Sequence, residues 1–143
     1  MSASSASDAQ GRRDDIVVDL LRAALPGLIA VYRFGSSAAG ASRPDSDVDL
    51  AFLGDRRLDP VVRFALQEQV ASALRTDVDL VDLRSASTVM ASQVVTTGIL
   101  LYEGDATARH VFEDFVYGRY ARLNEERRGI LDRIAQEGTV YGG

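Results

Sequence analysis

Two apolar stretches, residues 28–34 and 48–53, are separated by a run of small, polar and acidic residues from Gly35 to Asp47. Such a run has the composition of a turn, so the flanking stretches read as two partnered strands joined by a tight connection. Gly35-Ser36 closes the first strand, and Asp47-Val48-Asp49 opens the second. Side chains of a strand alternate between faces, so Asp47 and Asp49 point the same way. Two like charges side by side are unfavourable away from water unless a cation neutralises them. The small-residue turn before them is backbone that can approach a phosphate closely. Together these features form a kit for moving a nucleotide.

The remaining chain supplies one domain around this unit. At 143 residues, with 46% hydrophobic and 26% charged, it can bury a core without staples. It has no cysteine, which excludes a disulfide framework, a thiol nucleophile and a cysteine zinc site. All 16 basic residues are arginine, which excludes lysine-based catalysis, and His110 alone cannot make a histidine-rich metal site. The net charge of −5 opposes a protein that holds long nucleic acid by itself, because such proteins carry a basic stripe. No segment has the length of a membrane span, and residues 1–10 lack the basic start and apolar centre of a signal peptide. A cytoplasmic protein is expected.

Along the chain, residues 1–13 read as a disordered leader, 14–137 as the folded domain and 138–143 as a flexible tail. Ile16, Val17, Leu20 and Leu21 mark a short amphipathic helix over 14–24, ended by Pro26-Gly27. Asp59-Pro60 is a helix start, with a capping carboxylate followed by proline, and Val62, Leu66, Val70 and Leu74 recur at helical spacing to about Arg75. Residues 78–83 form a third strand, placed inside the sheet because Leu80 and Val81 are apolar on both faces. A helix over 86–97 ends at Gly98, and 99–102 is a short fourth strand. Asp105 caps a long C-terminal helical pattern from Val111 to Ile134, which Gly118 or Gly129 is expected to bend or break. The fold class is α/β (α+β): a small mixed sheet flanked by helices.

Asp47 and Asp49 are the candidate metal ligands, since magnesium prefers carboxylate and phosphate oxygens. A third carboxylate would come from the third strand, where Asp77, Asp79 and Asp82 are available. Alternation sets Asp77 and Asp79 on one face and Asp82 on the other. Asp77 sits at the strand entrance, where exposure costs little, whereas Asp79 between Val78 and Leu80 needs a partner. Asp79 is the choice and Asp77 the reserve. A glycine-rich hairpin with an exposed acidic turn would account for Asp45 and Ser46, but the joint spacing outweighs it for Asp47 and Asp49. His110 reads as a helix-surface residue, and Tyr117, Tyr120 and Tyr141 as packing or rim residues. Arg119, Arg122, Arg127, Arg128 and Arg133 alternate with acids along a solvated or partner-facing helix side.

Gly35-Ser36, ten residues, then Asp47-Val48-Asp49 resembles the signature of the polymerase β nucleotidyltransferase superfamily. From about Asp14 to about Glu137 the chain resembles the minimal nucleotidyltransferase (MNT) antitoxins encoded beside HEPN-domain toxins. The resemblance implies a nucleotidyltransferase fold and two magnesium ions held by Asp47, Asp49 and a third acid, in a Val-Asp-Leu-Val context like residues 78–81. It implies that Gly35 and Ser36 hold the β- and γ-phosphates of ATP. Relatives often carry a basic or polar residue where Ala39 stands here, and Arg43 is the available substitute. It further implies transfer of AMP from ATP to a tyrosine hydroxyl of a HEPN RNase toxin, silencing it. The small size fits, because a partner would supply the acceptor surface, with the C-terminal helix as the docking element.

Two other functions compete. An aminoglycoside-type small-molecule nucleotidyltransferase would need an additional helical domain or a homodimer. An antitoxin acting by occlusion alone would not need its acids intact. Serine hydrolysis fails, because Gly-x-Ser-x-Gly is broken at Ala39 and only His110 could act as base.

Overall fold

The computed structural model describes residues 2–35 and 47–141. Eight elements follow in order: α1 (Ser2–Ala24), β1 (Leu28–Phe34), β2 (Val48–Gly54), α2 (Pro60–Leu74), β3 (Val78–Asp82), α3 (Thr88–Thr97), β4 (Ile99–Glu103) and α4 (Ala106–Tyr141). The strands form one mixed sheet in the order β3-β2-β1-β4. β1 pairs antiparallel with both β2 and β4, while β2 and β3 run parallel, joined through α2. Parallel neighbours need such a crossover, whereas β1 and β2 need only a turn.

Helices cover both faces. On one, Val17 and Leu21 of α1 and Leu66 and Val70 of α2 pack against Val31, Leu50, Phe52 and Leu80. On the other, Ala91 and Val94 of α3 and Phe112 and Val116 of α4 pack against Tyr32, Ala51, Leu53 and Leu83. This three-layer arrangement explains the near-continuous hydrophobic runs of β1 and β2, since every residue of β1 is buried. Strand bounds follow the expected ones closely. The start of α2 is also as expected: Asp59 accepts hydrogen bonds from the backbone N–H of Val61 (2.9 Å) and Val62 (3.4 Å), and Pro60 follows it.

Three features differ from the sequence reading. First, β3 lies at the sheet edge, not inside. Its apolar residues answer to helices on both faces rather than to strands on both sides. Its outer backbone is met by α2 instead: Leu80 N–H donates to Gln67 Oε1 (3.0 Å), and Arg63 Nη1 donates to Leu80 O (2.8 Å). Second, α1 begins at Ser2 rather than Asp14, so the stretch read as a leader is helical where it is described. Its Ser/Ala composition permits a helix. Gln10 Nε2 donates to Asp14 Oδ1 (2.9 Å), and the same oxygen accepts from Arg33 Nε on β1 (3.2 Å), tying this part of the helix to the sheet. Third, α4 runs unbroken for 36 residues through Gly118 and Gly129 to Tyr141, within the stretch read as a tail. Each glycine costs about 1 kcal/mol against alanine but satisfies the same backbone bonds, so the helix weakens without breaking.

Candidate active site

The site begins where β1 ends. Gly35 has φ +74°, a left-handed conformation that glycine adopts without strain. It turns the chain out of the sheet beside Asp49, which faces Phe34 in the β1–β2 register. A Cβ at Gly35 would collide with Asp49 Oδ2. The glycine therefore does two things: it makes the turn and leaves room for the carboxylate. The sequence signals the first through the strand-end Gly-Ser; the second appears only in three dimensions. Ser36, Ala39, Arg43, Asp45 and Ser46 lie outside the described residues.

Asp47 sits immediately before β2 and is exposed, while Asp49 lies inside the strand and is partly buried. Alternation carries both to the face of Ala51 and Leu53, the side covered further along by α3 and α4. The parallel register pairs Asp49 directly with Asp79 of β3. Paired residues of adjacent strands project on the same face, with the strands about 4.8 Å apart. The expected juxtaposition of Asp79 with the Asp-x-Asp pair is thus present in the sheet register. Asp77 lies just before β3; its carbonyl accepts from Val48 N–H at 3.0 Å, and its side chain is exposed.

The electrostatics separate the two candidates for third acid. Asp49 is pushed above its ordinary pKa first by desolvation, then by the charge of Asp79 and then by that of Asp47. Asp77 is not among the causes, so Asp79 is the acid that Asp49 senses from β3. Adjacent carboxylates are sites where a cation relieves repulsion. Among the described residues, no group of three or more acidic or imidazole side chains closes tightly enough to hold an ion on its own. The donor type nonetheless suits a hard divalent cation, which usually completes its shell with water and substrate phosphate oxygens. An opening of about 270 Å³ runs from Asp79 along the outer edge of β3, between Pro60 of α2 and Ala86.

Asp82 belongs elsewhere. It is 3% exposed on the opposite face, packed where α2 begins. Its carboxylate accepts from Leu58 N–H (2.8 Å), Arg84 N–H (3.0 Å) and Ser85 Oγ–H (3.3 Å), which knits the two loops flanking β3's C-terminal end. This is a structural carboxylate, on the other face as alternation requires. His110 is exposed on α4 with Arg109 Nη2 at 2.9 Å, consistent with a surface role. Tyr32, on the Asp49 face of β1, was not singled out by the sequence. Burial, reinforced by the nearby Glu113 carboxylate, pushes its hydroxyl up to about 12, so it stays neutral at ordinary pH.

Comparison with known proteins gives the chain's family. The family model described as Polymerase beta, Nucleotidyltransferase matches residues 18–107. The protein adenylyltransferase MntA of Shewanella oneidensis is 41% identical over 125 residues, covering 87% of this chain and 89% of that one. A crystal structure of a toxin–antitoxin with AMP-PNP contains a chain with TM-score 0.77 and 41% identity, matched over 85% of this chain and 98% of that one. A structure of a tri-AMPylated Shewanella oneidensis HEPN toxin in complex with MNT antitoxin gives TM-score 0.75 and 39% identity, over 88% of this chain and 98% of that one. The matched span contains Gly35, Asp47, Asp49 and Asp79 together, and the chain belongs to the polymerase β nucleotidyltransferase family.

Proposed function

We propose that this chain is the antitoxin of a toxin–antitoxin pair and transfers AMP from ATP to a tyrosine hydroxyl of a HEPN-domain toxin. The protein adenylyltransferase activity rests on 41% identity to MntA over most of both chains. The HEPN partner rests on relatives seen as toxin–antitoxin assemblies, one holding AMP-PNP and another an AMPylated toxin. The single observation that carries the chemistry is the Asp49–Asp79 register pair beside Gly35, with Asp49 raised by desolvation and then by both neighbouring acids.

Asp47, Asp49 and Asp79 would hold two divalent cations, magnesium by preference. Such ions supply charge neutralisation at the triphosphate and an activated acceptor oxygen. The chain's own residues do the rest. Gly35 and Ser36 would hold the β- and γ-phosphates through backbone N–H groups and the serine hydroxyl. The acceptor oxygen bonds to the α-phosphorus, the bond from that phosphorus to the β-phosphate bridging oxygen breaks, and pyrophosphate leaves. The hydroxyl proton passes to Asp79, whose side chain is exposed on the edge strand where the acceptor enters, and then to solvent. No helix among the described residues is long and apolar enough to cross a membrane. ATP and an RNase target belong to the cytoplasm, where we place the reaction.

Intact mass spectrometry of the neighbouring HEPN protein, incubated with this chain, ATP and Mg²⁺, tests the proposal. Mass gains in AMP steps that vanish with Asp47→Asn/Asp49→Asn are expected. An unchanged mass in a stable complex would replace transfer with occlusion. Unchanged mass without a complex, but drug-dependent pyrophosphate release, would favour an aminoglycoside-type acceptor.

A further inference from the structure

The Asp79 opening does not end at β3. Ala86 lines it and also lines a second cavity of about 150 Å³ beneath α4, walled by Phe112 and Val116. Thr88, Phe115 and Arg119 of that cavity line a third, of about 420 Å³, which reaches Leu123 and Glu126. The three adjoin through shared walls. They line up as a path over the surface from Asp79, past the β3–α3 loop, to Leu123 and Glu126 of α4.

The path has a definite chemical character. Its first part carries Asp79 and Asp82 with Arg63, whereas in the second and third cavities Arg84, Arg119 and Arg122 stand against one acid, Glu126, in a chain whose net charge is −5. The Arg84 guanidinium lies over the Phe112 ring and that of Arg119 over Phe115, each 5.5 Å from the ring centre, so aromatic faces hold both in place. Neither Arg119 nor Arg122 takes part in an ion pair among the described residues. Beyond the cavities the helix keeps the apolar spacing of its buried face. At about 3.6 residues per turn, Ile130 and Ile134 fall in phase with core-facing Phe112 and Val116. Yet Ile130 and Ile134 are 47% and 57% exposed.

We infer that this path is the acceptor-protein groove: an acidic segment of the AMP-accepting protein lies along Arg119 and Arg122, and an apolar face of that protein covers Ile130 and Ile134. The inference rests on the protein adenylyltransferase reading and adds where that substrate sits. Charge selects the occupant, because an acidic segment is attracted to these arginines while the rest of this chain's acidic surface repels it. Continuity sets the outcome, because a segment seated there ends at Asp79, beside the bond to be made.

Two double variants test it, Arg119→Glu/Arg122→Glu for the groove and Ile130→Asp/Ile134→Asp for the stripe. Both alter exposed positions, so circular dichroism should match the parent. With the HEPN protein as substrate, each should raise KM for that protein at least tenfold. Kcat at saturating protein and the affinity for ATP should stay within about twofold. An unchanged protein KM in both variants, with the parent active, overturns the groove and leaves the enzyme reading standing. A parent that transfers no AMP to the HEPN protein overturns the enzyme reading, and the groove with it. Weakened ATP binding in the groove variant would also overturn the inference, reassigning the arginines to nucleotide.

Discussion

Asp79 and Asp82 stand three positions apart in one short strand, and the fold treats them oppositely. Asp82 is buried and receives three hydrogen-bond donors from two loops, so its charge is satisfied inside the protein. Asp79 is exposed and its nearest strand partner is another carboxylate, so its charge calls for something from outside. Strand alternation produces the contrast, sending the two to opposite faces. A buried acid surrounded by donors holds the fold together. An acid set against other acids is where a cation has most to neutralise.

The sharpest way to break the comparison is at the acids that repel. Loss of one partner that merely orients a metal ligand costs about 10–100-fold. Asp47→Asn or Asp49→Asn should therefore lower AMP transfer by more than that, with the fold intact by circular dichroism. Gly35→Ala comes next. It forces an alanine into the left-handed region, costing about 1–2 kcal/mol, and drives its Cβ into Asp49 Oδ2. Transfer should fall at least tenfold in steady-state assays, with a lowered melting temperature as well. Asp79→Asn should cost more than tenfold and Asp77→Asn less than about twofold; the reverse order would exchange their roles.

Asp82→Ala should do the opposite of Asp47→Asn. Leaving buried donors unpaired costs about 1–3 kcal/mol, seen as a lower urea midpoint, while transfer per folded molecule is preserved. The smallest effect concerns pH. Asp49 holds its proton more tightly when folded than when unfolded, since its native pKa is raised. Without divalent cations its contribution to stability is thus present in acid and lost as pH rises through the raised native value. Asn at this position does not titrate. Asp49→Asn should therefore melt slightly higher than the parent at neutral pH, and the margin should close in acid or on adding Mg²⁺.

Much of this was legible because short-range rules govern it. The Gly-Ser and Asp-x-Asp punctuation set the ends of β1 and β2, and Asp59-Pro60 set the start of α2. Alternation alone sent Asp82 away from Asp77 and Asp79. The choice of Asp79 over Asp77 came from its place between Val78 and Leu80; its pairing with Asp49 came from the parallel register, which no local pattern specifies. The edge position of β3 was hidden for a related reason. Apolar residues on both faces report helices above and below, and they say nothing about a neighbour to the side. The early start of α1 was hidden because its polar Ser/Ala stretch has no apolar periodicity to mark a helix. The role of Gly35 in seating Asp49 was hidden too, because it is a missing atom.

The hydrogen bonds from Gln67 and Arg63 to Leu80 have a consequence for how other proteins can meet this one. An open sheet edge is an invitation to strand addition, the commonest route to unintended polymerisation. Here two side chains of α2 occupy the main-chain groups of Leu80 that an incoming strand would need. Backbone-to-backbone docking, which accepts almost any sequence, is closed off at the edge nearest the acids. A visitor to that side must be recognised by its side chains. The border beside these acids is thereby a selective one.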